Sequence, residues 1–178
     1  MQNKNVNRIS KGFWIWGNFL PSETIFLNSL KEKVNSHLIS PNFEIHITLS
    51  GPYYEIDDNF INQIKNYCKN NSSINIKLTG YDHKQEIYES FYISVMKSSE
   101  INRIRNNLFE LKNYSKHKEF TPHISLAYGD HNRKLKEELI LKLPKLPLSL
   151  TLNQLSIAIV DENIEKWEIH SRFRFNKI

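Results

Sequence analysis

The order in which apolar periods succeed one another constrains this chain more than any single motif. Phe13–Leu20 reads as a strand ended by Pro21, and Ser22 can cap a helix with the stripe Phe26, Leu27, Leu30, Val34 and Leu38. Phe43–Ser50 alternates strictly and is stopped by Gly51-Pro52; Asp57 or Asp58 then caps a helix carrying Phe60, Ile61, Ile64 and Tyr67, and Ser73–Tyr81 reads as a strand. The sequence then runs through the same order again. Glu86–Met96 is a strand, Ser98 or Ser99 caps a helix with Ile101, Ile104, Leu108 and Leu111, and Phe120–Tyr128 alternates up to Gly129-Asp130. A helix with Leu135, Leu139 and Leu143, ended by Pro144, precedes the strands Leu146–Val160 and Ile164–Phe175, joined by the turn Asp161-Glu162-Asn163. Strand–helix–strand–helix–strand thus occurs twice with no low-complexity linker between. That order predicts an α+β fold of two pseudo-equivalent, interleaved lobes, with residues 1–178 forming one domain.

The second strand of each half carries one chemical signature. In Glu44-Ile-His-Ile-Thr-Leu49 the apolar Ile45, Ile47 and Leu49 share a face, which leaves His46 and Thr48 on the other. In Pro122-His-Ile-Ser-Leu126 the same alternation pairs His123 with Ser125. His-x-Thr/Ser alone is a weak pattern, and strand histidines commonly do no more than satisfy hydrogen bonds. Two copies at the same place in a repeated order, each followed by a glycine turn, are a stronger signal. Opening a cyclic phosphate with water needs one group to take the water's proton and another to protonate the departing alkoxide. Imidazole does either near neutrality. Thr48 and Ser125 could hydrogen-bond the non-bridging oxygens, where charge accumulates, although Thr is also simply a good strand residue.

Composition narrows the classes. The chain has 178 residues, an ordinary apolar fraction and a net charge of +5, which favours anionic partners without establishing nucleic-acid binding, because the basic residues are dispersed. Phe13–Leu20 is too short to span a membrane, and the single cysteine, Cys68, lies on a helical stripe and reads as core packing; both point to a cytoplasmic protein. No metal is expected, since neither HExxH, nor CxxC, nor an acidic cluster with ligand spacing occurs.

Phe43-Glu-Ile-His-Ile-Thr-Leu49 and Phe120-Thr-Pro-His-Ile-Ser-Leu-Ala-Tyr128 resemble the two motifs of the two-histidine (2H) phosphoesterase superfamily, most nearly the plant and fungal cyclic phosphodiesterases. The resemblance runs from about Phe13 to Phe175. It implies a bilobal α+β fold of antiparallel sheet and outer helices around a cleft. It also implies hydrolysis of nucleoside 2′,3′-cyclic phosphates or of ADP-ribose 1″,2″-cyclic phosphate, without a cofactor. Carried over by motif position, His46 and His123 are the catalytic pair, His123 activating water and His46 protonating the leaving oxygen. Thr48 and Ser125 are the phosphate ligands, and Tyr128 and Trp16 are aromatics at the cleft that contact substrate. Strict alternation would bury Tyr128 with Ile124 and Leu126, unless the strand ends or bulges near Gly129.

His37, His83, His117, His131 and His170 lack a strand hydroxyl in register and read as surface residues; Lys84 and Lys118 read as solvated, with a second phosphate as their alternative use. The expected partner is a small cyclic nucleotide or ADP-ribose derivative, with RNA ends as an alternative, and the expected state is a monomer with no membrane attachment. Rival readings are an RNA 2′,5′-ligase or RNA-end phosphodiesterase, an enzyme that degrades cyclic oligonucleotides, and a catalytically silent nucleotide- or RNA-binding module on the same fold.

Overall fold

The computed structural model describes residues 11–111 and 119–176, so His117 and Lys118 lie outside the described residues. Its elements follow the order read above: β1 (Gly12–Phe19), α1 (Pro21–Asn35), β2 (Ile47–Tyr53), α2 (Asp58–Asn70) and β3 (Ile74–His83) form the first half. The second half comprises β4 (Phe91–Val95), α3 (Ser99–Glu110), β5 (His123–Ala127), α4 (Arg133–Ile140) and β6 (Ser149–Val160), with β7 (Glu168–Arg174) added at the end. All strand pairings are antiparallel: β1 lies between β2 and β6, β4 between β3 and β5, β3 also meets β6, and β7 meets β6. A single residue pair, Ile47 with Ile124, joins β2 to β5. Exchanging β1, β2, β3 with β4, β5, β6 maps this pairing scheme onto itself, and only β7 has no counterpart.

The symmetry extends to register. Between β1 and β2 the pairing steps from Trp16–Thr48 to Ile15–Ser50; between β4 and β5 it steps from Tyr92–Ser125 to Phe91–Ala127. Each motif strand therefore carries one extra residue, Leu49 or Leu126, at the same place, a bulge that re-aims the side chains after the motif. Helices α1 to α3 cover one face of the sheet, where Ile15, Ile47, Leu49, Ile93, Ile124 and Leu126 join a continuous core with Leu27, Ile64 and Ile104. Cys68 is part of that core, and burial pushes its thiol up to about 12, as expected of a packing residue. A second, smaller cluster lies on the other face: Trp16, Ala158 and Val160 with Trp14, Trp167 and Ile169 against them.

Several boundaries differ from expectation. Gly51-Pro52 does not stop β2, which continues to Tyr53 and pairs with Phe13 across a second irregularity. A bulge tolerates a proline that a regular ladder would not. Gly51 has φ +130°, and a Cβ there would lie 2.8 Å from the Trp14 ring. Glu86–Met96 is a 3-10 turn at Ile87–Glu89 followed by the shorter β4, because Ile87 C=O turns to accept from Gly129 N–H at 2.9 Å. Ile164–Phe175 likewise begins with a 3-10 turn at Ile164–Lys166. Ser22 does not cap α1. The Glu23 carboxylate accepts from Leu20 N–H at 3.1 Å and also from Thr151 N–H, which ties the helix to β6. Asp57 and Ser98 cap α2 and α3 as expected. On α4 only Leu139 of the expected stripe is fully buried. Lys136 takes the next inward position and donates to Lys84 C=O and Gln85 Oε1, both at 2.6 Å.

Gly51→Ala places a Cβ in a left-handed conformation against an indole ring and should cost about 1–3 kcal/mol. Urea denaturation followed by circular dichroism measures it; an unchanged midpoint would show that the bulge relaxes freely.

Candidate active site

The seam between β2 and β5 brings the two motifs together on the face of the sheet away from the helices. His46 immediately precedes β2 and His123 opens β5, so each ring sits where the ladder begins. Each is held in the same way. Nδ1 of His46 donates to Glu44 C=O at 2.7 Å, and Nδ1 of His123 donates to Thr121 C=O at 2.8 Å. A carbonyl can only accept, so Nδ1 must carry a proton, and Nε2 is left to gain or lose one.

Each histidine also leans on an aromatic side chain from the neighbouring strand. Trp16 stacks flat on His46, with centroids 3.7 Å apart and planes 7° from parallel; Tyr92 lies 5.1 Å from His123 at 54°. Trp16 pairs across the ladder with Thr48 as Tyr92 does with Ser125. The repeating unit is thus a histidine, a hydroxyl two residues on, and a cross-strand aromatic. Tyr92 was not singled out from the sequence. Its signal was the repeated order itself, which makes it the counterpart of Trp16.

The two halves differ in surroundings. His46 is 5% exposed, with Phe43 and Trp167 edge-on to its ring. Burial pushes it down to about 3; the Glu44 carbonyl opposes that shift, and nearby His123 and Lys31 add to it. Behind it, Arg172 Nη1 and Nη2 fork onto the Glu44 carboxylate at 2.6 and 2.7 Å, and Asn18 Nδ2 donates to the same carboxylate at 3.1 Å. Ser156 Oγ donates to Asn18 Oδ1 in turn. The residue whose carbonyl orients His46 is therefore clamped by β1, β6 and β7. Sequence reading passed over Glu44, Asn18 and Arg172, since partners 26 to 138 positions apart leave no local pattern. His123 is half-buried.

Thr48 is half-buried and Ser125 is 4% exposed. Ser125 shares a hydrogen bond with the Tyr128 hydroxyl, whose proton burial holds more tightly than usual. Tyr128 escapes the core because β5 bulges at Leu126 and ends at Ala127. Its N–H donates to Ser40 Oγ at 3.0 Å, and its ring packs 4.2 Å from Phe43.

Tyr128 and Trp16 were expected to contact substrate, and this expectation is corrected. Trp16 is 2% exposed, covered by His46 on one side and its own apolar cluster on the other, and Tyr128 is equally enclosed. Neither has a free face for a base; both are placed to hold catalytic candidates in position. His131, expected at the surface, is half-buried: Nε2 donates to Ile39 C=O at 2.7 Å, and Nδ1 lies 2.8 Å from Ser90 Oγ. It pins the turn after β5, where a Cβ on Gly129 would strike its ring at 2.8 Å. Lys84 is paired with Glu89. Among the described residues no group of three or more His, Cys, Asp or Glu is arranged to hold a metal ion, and no helix is long and apolar enough to cross a membrane.

Residues 21–163, which include both motifs, match the family described as the 2'-5' RNA ligase superfamily. The chain belongs to that superfamily. No curated protein is similar in sequence. Among solved structures, TT0787 of Thermus thermophilus has a TM-score of 0.60 at 15% identity, over 93% of this chain and 98% of that one. LigT of E. coli, complexed with 3'-AMP, has a TM-score of 0.61 at 11% identity, over 93% and 98%. LigT has also been solved with ATP, at 12% identity and a TM-score of 0.60 over 93% and 97%. At these identities the likeness is one of fold. It bears out the expected α+β architecture, and membership in the superfamily bears out the resemblance to the 2H phosphoesterases and supports phosphoesterase or RNA-ligase-type activity.

An unfolded histidine titrates near about 6.5, so unfolding takes up a proton as pH falls below that value. The stability contributed by neutral His46 is present above that pH and is lost as pH falls towards about 3. Acidifying from about pH 7 to pH 4 should therefore lower the Tm of the wild type more than that of His46→Gln. Equal shifts in thermal melts would remove His46 as the source.

Proposed function

We propose that the chain is a metal-independent cyclic phosphodiesterase, in which His46 and His123 open a small cyclic phosphate: a nucleoside 2′,3′-cyclic phosphate or ADP-ribose 1″,2″-cyclic phosphate. The carrying observation is the duplicated arrangement of histidine, hydroxyl and aromatic, with both Nδ1 atoms tied to the carbonyl two residues back. Water attacks phosphorus and gives up a proton to one Nε2, a ring P–O bond breaks, and the departing alkoxide takes a proton from the other Nε2. One phosphomonoester results, and the two histidines have exchanged protonation states. Thr48 and Ser125 donate to the non-bridging oxygens as charge builds there.

Burial favours the reverse of the roles implied by family resemblance. His46, neutral well below pH 7 before substrate binds, suits the proton acceptor, which leaves half-buried His123 as the donor. A bound phosphate would raise His46 towards a more effective basicity. The same proposal takes the chain as a single monomeric unit, and the buried, unpaired Cys68 fits a reducing cytoplasm.

Hydrolysis of adenosine 2′,3′-cyclic phosphate in EDTA should proceed for the wild type and fall by about 10²–10⁴-fold in His46→Ala and His123→Ala, with smaller changes in KM. Turnover that EDTA abolishes, or that survives both substitutions, would sink the mechanism. A diester with a 4-nitrophenolate leaving group needs no acid. On it His123→Ala should lose much less than His46→Ala, and the opposite order would return the roles to those implied by resemblance.

A further inference from the structure

Among the described residues, the sheet face bearing the two histidines is closed on one side and open on the other. Beside His46 it is filled by Trp16, Ala158 and Val160 with Trp14, Trp167 and Ile169 over them. Beside His123 lies a cavity of about 320 Å³ whose floor is the outer face of β3 and β4. Ser94 stands directly opposite His123 in the ladder, and Tyr92, one step along, stands opposite Asp82. The reacting phosphate lies between the histidines, so whatever is attached to it can extend only towards the open side.

The cavity is lined by two cations, Lys84 and Lys97, and two anions, Asp82 and Glu89. Lys84 is paired with Glu89, and the Tyr92 hydroxyl donates to Asp82 Oδ2 at 3.3 Å; Lys97 reaches outward to exposed Glu119 at 2.9 Å. Such a lining does not collect a second anion; it offers alternating donors and acceptors to a neutral polar group. Its volume falls near the lower end of the roughly 300–1,000 Å³ found for small-molecule sites, enough for one heterocycle and its sugar but not for several nucleotides.

We propose that this cavity is the nucleobase subsite, and that Ser94, Asp82 and Lys97 make the chain selective for mononucleoside 2′,3′-cyclic phosphates over substrates carrying a pyrophosphate. This rests on the phosphodiesterase reading above and adds to it the side of the site on which the substrate lies. It also separates selectivity from chemistry: the base is read by β3 and β4, which contribute no proton-transferring group.

The test compares adenosine 2′,3′-cyclic phosphate with the base-free methyl ribofuranoside 2,3-cyclic phosphate, in the wild type, in Ser94→Phe, which fills the cavity, and in Asp82→Asn, which preserves its shape. The wild type should prefer the nucleotide in kcat/KM, and the preference should fall about tenfold or more in Ser94→Phe and by a smaller factor in Asp82→Asn. An equal rate on both substrates in the wild type, or a preference that both variants leave intact, overturns the subsite while the phosphodiesterase reading stands. So does a wild-type preference for ADP-ribose 1″,2″-cyclic phosphate. Calorimetric binding of 3′-AMP against methyl ribofuranoside 3-phosphate gives the same comparison without turnover. Tighter 3′-AMP binding that Ser94→Phe abolishes supports the subsite even if no cyclic phosphate is hydrolysed, and equal binding overturns it.

Discussion

The site hangs on the seam between β2 and β5, where one residue pair, Ile47 with Ile124, sets the two motif strands side by side in a sheet that β6 also joins on its far side. That pair is fully buried on the helix side, and its burial requires the neighbouring positions in each strand to face the other way. His46, Thr48, His123 and Ser125 are those neighbours. The hydrophobic effect at the seam therefore does the positioning, and the polar groups occupy the face it leaves over. The bulges at Leu49 and Leu126 belong to the same arrangement, since they return the strands to the core once the motif has passed.

Onto this near-symmetric frame the chain builds an asymmetric site. One histidine is sunk among aromatic rings, and its supporting carbonyl belongs to a glutamate clamped from three strands; the other is half-exposed beside a polar cavity. Burial sets the His46 ring apart from its counterpart and holds its basicity down. Strand β7, the element without a counterpart, supplies Arg172 to the clamp, and the segment leading into it supplies Trp167 to the aromatic cover.

Much of this was legible in the residues before any coordinate. Alternation set His46 beside Thr48 and His123 beside Ser125, and the duplicated strand–helix order implied that the two pairs occupy equivalent places. Both are properties of short windows, in which side-chain direction follows from a period of two. Tyr128 marks where that logic stops: strict alternation sends it to the core, and the bulge at Leu126, which depends on pairing with β4, sends it to the other face. Gly51-Pro52 fails for the same reason, because a dipeptide that punctuates an isolated strand can instead be absorbed as an irregularity between partners.

Fold class and the two motifs follow from the residues alone, because apolar periodicity and the placement of histidine, serine and threonine within it are local. The burial of His46, Trp16 and Tyr128 and the cavity beside His123 come from the assembled sheet. Those outcomes depend on which strands meet across gaps of tens of residues. Solvent exclusion, which sets both basicity and access, is a property of that assembly and of no segment within it.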